Sequence, residues 1–213
     1  MNIILKQFNF LIVHLKQFIQ FIFYYISWHK LLPLSEPFLK QIAIFVKKYI
    51  LMTSINERIV ALRAAMIKVN VSACIIPGTD PHASEYIAEY WKERVWISGF
   101  TGSAGTAVVG LKSAGLWTDS RYFLQAADEL NGSGMDLMKM GLPETPDIIP
   151  WLMKTLKQGE KVAVNAQMFS VNAYSSMKSE LETVGIELAS IDLMKEIWNE
   201  RPLLPQELFY MFD

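Results

Sequence analysis

The residues best equipped for chemistry lie in two short stretches, the first of them around a histidine. His82 has two carboxylates close by in the sequence, Asp80 and Glu85, and the three together resemble a metal-binding group. Catalytic metal sites draw their ligands from rigid elements at fixed offsets, and no HExxH pattern or second nearby histidine is present. The pattern therefore favours a structural or surface role for His82 over metal binding.

The second stretch is the glycine loop, residues 99–105 (GFTGSAG), in which glycines recur every third residue. Its spacing matches neither GxGxxG nor GxxxxGK[ST], so it does not predict a phosphate site. Ser103 lies one residue short of a GxSxG elbow, and no histidine follows it in the chain to act as its base. The loop is interpreted as a connection between strands, where glycine permits positive φ or a close backbone approach.

Arg121 and Tyr122 follow the glycine loop, in the first turn of a helix that Asp119 is expected to cap. An arginine at a helix N-terminus opposes the helix dipole, which argues for a role beyond folding. An ion pair between Arg121 and Asp119 explains the same residues without any function. Both interpretations stay open at the level of sequence.

An α/β framework must position these residues. Apolar spacing predicts amphipathic helices, and short β-branched runs bounded by Gly or Pro predict strands. Their alternation predicts a mixed sheet of about six short strands flanked by helices. Strands are expected near residues 72–76, 95–97, 106–109, 114–118, 135–140, 161–164 and 187–191, and helices near 55–70, 119–130, 148–156 and 171–184.

Residues 1–51 differ in composition from the rest of the chain, being hydrophobic and basic. They carry six Lys and one Glu, or +5, which leaves −6 for the remaining residues. Polar residues interrupt every apolar run, so no spanning helix is predicted, and no signal-peptide cleavage site follows. Two interpretations remain open: a helix that lies on a membrane surface, or translated upstream sequence before Met52.

Charge and cysteine content narrow the function classes. The mildly acidic remainder has no basic stripe of the kind that binds nucleic acid. The single cysteine, Cys74, lies in an apolar run and is predicted to be a buried thiol. This usage is compatible with a reducing compartment and leads us to expect a cytoplasmic protein, with membrane-surface association if residues 1–51 are genuine.

Six short strings stand out along the chain: 55–58 (INER), 80–86 (DPHASEY), 96–105 (WISGFTGSAG), 116–126 (LWTDSRYFLQA), 137–146 (LMKMGLPETP) and 196–202 (EIWNERP). In this order they resemble the N-terminal domain of Xaa-Pro aminopeptidases (aminopeptidase P) of the creatinase/prolidase family. The resemblance covers roughly residues 56–205 and departs from the family at Ser120, where glycine is usual, and at Asn165-Ala166, where Asp-Pro is usual.

The resemblance implies a creatinase-type domain at residues 53–198 and a linker stub at 199–213. In the family, a C-terminal domain with two divalent metals, typically manganese, removes the N-terminal residue from peptides with proline second. The metal ligands of that domain have no counterpart here, so this chain should hold no cofactor and be inactive alone.

The resemblance also implies partners and a site. The partners would be the C-terminal peptidase domain, a second copy in a homodimer, and short Xaa-Pro peptides only when the catalytic domain is present. This domain would shape the substrate entrance, and the residues expected there are His82, Phe100, Thr101, Arg121 and Tyr122. The alternative is a free-standing binding module of the same fold without peptidase activity.

Overall fold

The computed structural model describes residues 55–206, and the predicted N-terminal segment 1–51 lies outside these residues. The helices are α1 (55–68), α2 (Glu93–Ser98), α3 (Phe123–Glu129), α4 (Ile148–Thr155), α5 (Val171–Glu182) and α6 (Met194–Ile197). The strands are β1 (Ala73–Pro77), β2 (Thr106–Gly110), β3 (Ala114–Thr118), β4 (Asp136–Lys139), β5 (Lys161–Val164) and β6 (Glu187–Ser190). Short 3-10 turns cover Glu89–Trp91, Ser120–Tyr122 and Ala166–Met168.

The six strands form one mixed sheet in the order β4-β3-β2-β1-β5-β6. The β1–β2 and β2–β3 pairs are antiparallel, and the β3–β4, β1–β5 and β5–β6 pairs are parallel. The predicted fold class, a mixed sheet of about six short strands flanked by helices, is confirmed. Five strands run in the same direction, and β2 runs opposite to them. The C-terminal ends of β1, β3, β4, β5 and β6 therefore lie at the same end of the sheet, where the loops 78–88 and 119–122 begin.

Alternating strand residues supply a hydrophobic core on each face of the sheet. One core packs Cys74 and Val109 against α1, α2, α3 and α6, and the other packs Ile75 and Val108 against α4 and α5. Burying one such aliphatic side chain stabilises the fold by about 1.5–3 kcal/mol before conformational entropy is subtracted. The predicted burial of Cys74 is confirmed, and desolvation by burial strongly raises the pKa of its thiol.

The strand predicted at residues 95–97 is wrong, because these residues belong to α2. Buried residues recur in α2 at the spacing of a helix, with Glu93 and Arg94 followed by Ile97 and Ser98. Gly99 then ends the helix in the left-handed conformation, with φ of 73°. A three-residue apolar run next to glycine is compatible with either element, which is why the sequence pattern misled.

The predicted cap at Asp119 is confirmed, and Ser170 caps the start of α5 in the same way, whereas Asp147 at the start of α4 makes no side-chain capping bond. Asp119 accepts a hydrogen bond from the backbone N–H of Arg121 at 3.0 Å, and Ser170 accepts one from Ala173 at 3.2 Å. These bonds satisfy backbone donors that a helix start leaves unpaired. No helix within residues 55–206 is long and apolar enough to cross a membrane.

A buried ion pair joins α2 to the C-terminal end of the described chain. Arg201 Nη2 donates to Glu93 Oε1 at 2.5 Å, and the two side chains are only 8 % and 2 % exposed. Asp192 Oδ2 lies 3.7 Å from Arg201 Nη1. Burial raises the pKa of Glu93 to about 7. The positive charge of Arg201 acts in the opposite direction and lowers this pKa, whereas the negative charge of Asp192 raises it further. Glu93 therefore binds a proton more readily in the folded protein than in the unfolded chain.

This raised pKa predicts a pH dependence of stability. Between about pH 5 and pH 7 the unfolded chain holds Glu93 deprotonated while the folded protein still binds a proton there, so the free energy of unfolding should fall as pH rises through the folded pKa of about 7 and then level off by pH 8. Glu93→Gln removes this contribution. The free energy of unfolding of the variant, relative to the wild type, should therefore increase from pH 5 to pH 8 in urea titrations.

Asp119→Asn is the control for that experiment. A hydrogen bond from the Arg121 side chain lowers the pKa of Asp119, so its contribution is lost only as pH falls below the window tested. Its free-energy difference from the wild type should stay constant between pH 5 and pH 8. An equally constant difference for Glu93→Gln would contradict the raised pKa.

Gly99 and Gly141 make a matched pair for testing the end of α2. Both have positive φ, 73° and 85°, but a Cβ at Gly99 would overlap Ile55 Cδ1, whereas a Cβ at Gly141 would meet nothing within 4 Å. Gly141→Ala should cost about 1 kcal/mol for the left-handed backbone alone. Gly99→Ala should cost about 1–3 kcal/mol more, from overpacking. Equal losses in urea unfolding would show that Ile55 does not confine Gly99.

Candidate functional site

The candidate site lies where the glycine loop leads into β2, at the end of the sheet where β1 and β3 finish. Thr106, the first residue of β2, pairs with Pro77 at the end of β1 and with Trp117 near the end of β3. The glycine loop therefore lies between the loops that leave β1 and β3. Two of the predicted site residues, Phe100 and Thr101, are part of it.

Arg94 holds the glycine loop from the protein interior. Its side chain is buried, and its two terminal nitrogens donate to the carbonyls of Phe100 at 2.9 Å and Gly102 at 2.6 Å. The guanidinium also lies 4.9 Å from the centre of the Phe100 ring. Burial lowers the pKa of Arg94 to about 10, which still leaves it charged at neutral pH. A charged donor thus fixes two loop carbonyls in the interior, where each bond is strong.

Two aromatic rings that pack around Gly102 also fix the loop. Phe100 is fully buried, and its ring meets the Tyr122 ring edge to face, with centres 5.8 Å apart. A Cβ added to Gly102 would overlap the Phe100 ring and approach Tyr122 Cδ1 to 2.7 Å. Glycine is required at this position because the backbone passes so close to two aromatic rings. Phe100 therefore shapes the loop from the core and offers no exposed surface to a ligand.

Thr101 is exposed at the outer face of the loop, and a carboxylate on α3 holds it. Glu129 accepts hydrogen bonds from the Thr101 backbone N–H at 2.8 Å and from its hydroxyl at 2.6 Å. Gln125 Nε2 donates to Thr101 Oγ1 at 2.9 Å and to Glu129 at 3.1 Å. The position of Thr101 is thus set by two residues one helical turn apart.

Arg121 and Tyr122 stand beside the loop on the 3-10 turn that follows β3. Arg121 makes a two-pronged ion pair with Asp119, with N–O distances of 2.9 and 2.8 Å, so the local pairing proposed from sequence is present. Its guanidinium also lies 5.4 Å from the centre of the Tyr122 ring. The Tyr122 and Ser103 hydroxyls are 2.6 Å apart, and this hydrogen bond is the main cause of a lowered pKa of Tyr122.

His82 lies in the loop after β1, and its side chain is exposed. Asp80 is buried and accepts hydrogen bonds from the backbone N–H groups of Ser84 and His82, both at 2.9 Å. These bonds lower the pKa of Asp80, with that from Ser84 the largest cause. Asp80 therefore closes the loop, and His82 contributes its backbone to that closure. The structure brings Phe100, Thr101, Arg121 and Tyr122 into one cluster, and no described contact joins His82 to it.

The side chains of this cluster suit recognition better than catalysis. The Ser103 hydroxyl bonds to Tyr122, and no hydrogen bond described within residues 55–206 joins it to an imidazole that could activate it. Within residues 55–206 no group of three or more His, Cys, Asp or Glu side chains is arranged to hold a metal ion, so the donors here do not fit the two metals of the resembled family. The site instead presents a polar rim, which we define as the side chains of Thr101, Ser103, Arg121, Tyr122 and Glu129. These supply hydroxyl, phenol, carboxylate and guanidinium groups.

Three residues that shape the site were not predicted from sequence. Arg94 and Glu129 hold the loop, and Glu93 joins the same short helix to Arg201. A helix at residues 93–98 would have placed Glu93 and Arg94 on the same buried face as Ile97 and Ser98. That pattern would have indicated that the two charged side chains are buried. A charged pair on a buried face needs partners, and the nearest backbone is the glycine loop.

Comparison with known proteins identifies the family. Residues 58–200 match the model of the creatinase/prolidase N-terminal domain. The chain is 42 % identical over 163 residues to Xaa-Pro aminopeptidase 2 of Rattus norvegicus, and 39 % identical over 165 residues to aminopeptidase P2 of Arabidopsis thaliana. These matches cover 74 % and 75 % of this chain. They span only 24 % and 23 % of the relatives, so the chain corresponds to about a quarter of their length.

Solved structures agree. The X-prolyl aminopeptidase of Caenorhabditis elegans, described as a cytosolic enzyme with a di-nuclear active site, superimposes with a TM-score of 0.67 and 32 % identity. The match covers 71 % of this chain and 26 % of that one. Aminopeptidase P of Streptococcus thermophilus gives a TM-score of 0.51 at 17 % identity over 68 % of this chain and 98 % of that one, and shows the fold alone.

Replacing Arg94 should loosen the glycine loop and destabilise the fold. Arg94→Met keeps the buried stem but leaves the carbonyls of Phe100 and Gly102 without their charged donor, which should cost about 2–4 kcal/mol. Urea unfolding measures the loss. Hydrogen exchange at the amides of residues 101–105 should also become faster.

Arg63→Met is the matched control. Arg63 is partly exposed and donates a single bond, from Nε to the Gly110 carbonyl at 2.9 Å. Its loss should cost at most about 1 kcal/mol and leave exchange in the glycine loop unchanged. If both variants lose the same stability, Arg94 does not hold the loop in the way its contacts indicate.

Proposed function

The chain belongs to the creatinase/prolidase N-terminal domain family, and we propose that it is the non-catalytic N-terminal domain of a Xaa-Pro aminopeptidase. Such an enzyme removes the N-terminal residue from peptides with proline in second position. The proposal is supported by the 42 % identity to the rat aminopeptidase and by the match of an N-terminal-domain family model, with about a quarter of each relative's length covered. On this proposal the chain has no peptidase activity by itself.

The peptidase chemistry belongs to the part of the relatives that this chain does not span. In the proposal that part would hold the two divalent metals, and the chemistry they would supply is Lewis-acid activation for peptide hydrolysis. This chain contributes shape and contacts at the mouth of the active site. We place the domain at residues 53–198 and a linker at 199–213, with residues 1–51 as a separate segment.

The observation that carries the proposal is the fixed glycine loop with its exposed polar rim. Arg94, Glu129 and the two aromatic rings hold the backbone, so Thr101 is presented in one position. A rim held in place before binding loses little conformational entropy when a peptide arrives. Arg121 offers a planar guanidinium, the group that best matches a carboxylate of a peptide or of a partner subunit.

The remaining expectations follow from the same relatives. A second copy of the full-length protein is the proposed partner, with the site between the loops after β1 and β3 close to the subunit contact. We propose the cytoplasm as the compartment, supported by the cytosolic relative from Caenorhabditis elegans and by the buried, unpaired Cys74. In this proposal His82 is a rim residue, on the same sheet edge as the glycine loop.

A chimera tests the proposal directly. Residues 53–206 of this chain would replace the matching segment of the Caenorhabditis elegans aminopeptidase, and cleavage of Xaa-Pro peptides of two to eight residues would be measured. The chimera should cleave them. Arg121→Ala should then lower kcat/KM by about five- to tenfold for some peptide lengths and less for others, which corresponds to loss of one carboxylate contact of about 1–1.4 kcal/mol.

Lys178→Ala is the control, because Lys178 is half exposed on α5 and its ion pair among the described residues is with Glu182 of the same helix. It should leave kcat/KM unchanged at every length. A uniform kcat/KM across lengths after Arg121→Ala would remove Arg121 from the entrance. A folded chimera that cleaves no Xaa-Pro peptide would contradict the proposed function and favour the alternative, a free-standing binding module.

A further inference from the structure

We propose that Arg201 is a positioning residue, which anchors the chain where it leaves the domain and fixes the direction of residues 202–206. Linkers between domains are ordinarily mobile, and relative domain motion is the default expectation. Here the first residues after α6 are tied to the domain by several independent contacts. The exit therefore behaves as part of the fold.

Two nitrogens and the planar face of the Arg201 guanidinium form this anchor. Its Nε donates to the Tyr90 carbonyl at 2.8 Å, and Nη2 donates to Glu93. Its guanidinium stacks 3.8 Å from the centre of the Tyr90 ring, and the Trp91 and Trp198 rings lie 5.6 Å away. A buried guanidinium with this geometry gives direction as well as affinity, because its planar fork fits one orientation only.

The anchor continues into the domain as a stack of rings and cations. Trp198 stacks on Trp96 with ring centres 5.1 Å apart and an angle of 18°. Arg58 of α1 also lies over the Trp96 ring, 4.7 Å from its centre, and donates to the Trp96 carbonyl at 2.6 Å. A chain of side-chain contacts thus runs from Arg58 of α1 through Trp96 of α2 and Trp198 to Arg201, and it joins the end of the domain to α1 and α2.

The residues after the anchor are stiff. Pro202 and Pro205 bracket two leucines, and proline fixes φ while disfavouring the helical conformation of the residue before it. Segments of this composition extend by about 3.1 Å per residue and act as semi-rigid spacers. A stiff segment attached to a fixed residue transmits orientation, whereas the same segment on a free residue does not.

The functional meaning of this anchor rests on the proposed function. If the peptidase part follows, Arg201 sets where the glycine loop stands relative to that active site. The anchor itself is a property of the present chain and can be tested without any peptidase activity. Failure of the anchor and failure of the proposed function are therefore separate results.

Electron spin resonance distance measurements on the full 213-residue chain provide the test. Spin labels would be placed at Gln206→Cys, the last described residue, and Lys178→Cys on α5. Cys74 is buried, with a raised thiol pKa, and stays unlabelled in the native protein. At pH 8 the wild-type background should give one narrow distance distribution. A broad distribution there would overturn the proposal.

The main variant is the double substitution Glu93→Met with Arg201→Met. It removes both members of the buried ion pair, so no charge is left unpaired and the domain should remain folded. The width of the distance distribution should increase at least about twofold, as for a short segment released to behave as a coil. An unchanged width in the folded variant would show that Arg201 does not anchor the exit.

Two further variants keep the result decisive. Arg201→Lys retains a charge opposite Glu93 but loses the planar fork and stack, so it should broaden the distribution by a smaller amount. It serves if the double variant fails to fold, and a width equal to the wild type would again overturn the proposal. Lys195→Met, at an exposed position on α6, is the matched control and should leave the distribution narrow.

Discussion

Two adjacent charged side chains on one six-residue helix must both be satisfied inside the protein, and much of the structure follows from that constraint. Glu93 and Arg94 of α2 are 1 % and 3 % exposed. Burying a charge without a partner costs several kcal/mol, so each must meet a fixed counterpart. Glu93 meets the guanidinium of Arg201, and Arg94 meets two carbonyls of the glycine loop. One short helix therefore holds both the candidate site and the chain exit.

This arrangement means that the loop and the exit are not independent. Gly99, which ends α2, is also the first residue of the glycine loop, and its lack of a side chain leaves space for Ile55 of α1. A shift of α2 would strain the loop on one side and the Arg201 anchor on the other. Densely packed interiors transmit such shifts instead of absorbing them. The helix is thus a structural link between the candidate site and the chain exit at Arg201.

The sequence revealed most elements whose signals are local. Asp119 caps its turn as expected, because capping depends on a few neighbouring residues. The strand expected near residues 72–76 is found as β1, Ala73–Pro77, because a continuous apolar run that ends at Pro-Gly is also a local signal. The helix α2 was missed because its pattern is short and its charged face is buried by contacts 8 and 108 residues away in sequence. Tertiary partners of that kind leave no periodic signal.

The candidate site shows the same division. Glycine spacing located the loop, and family resemblance selected Phe100, Thr101, Arg121 and Tyr122, which the fold brings together. Sequence spacing alone did not show that Phe100 is internal while Thr101 faces outward. Burial of Phe100 follows from Arg94, whose guanidinium lies over its ring and whose bonds hold the carbonyls on either side of Thr101.

The pairing of Arg121 with Asp119 determines how it can act. Both members are partly exposed, 68 % and 35 % at the side chain, so their attraction is screened by water and their mutual stabilisation is small. A carboxylate from a peptide or a partner subunit would compete with Asp119 for the same two nitrogens, which limits the gain from a simple exchange. Asp119 also caps the 3-10 turn through the Arg121 N–H, so the carboxylate stays in place. In the proposed function, Arg121 would present its remaining donors to a ligand with Asp119 still bound, which favours neutral carbonyl acceptors of a peptide backbone as well as carboxylates.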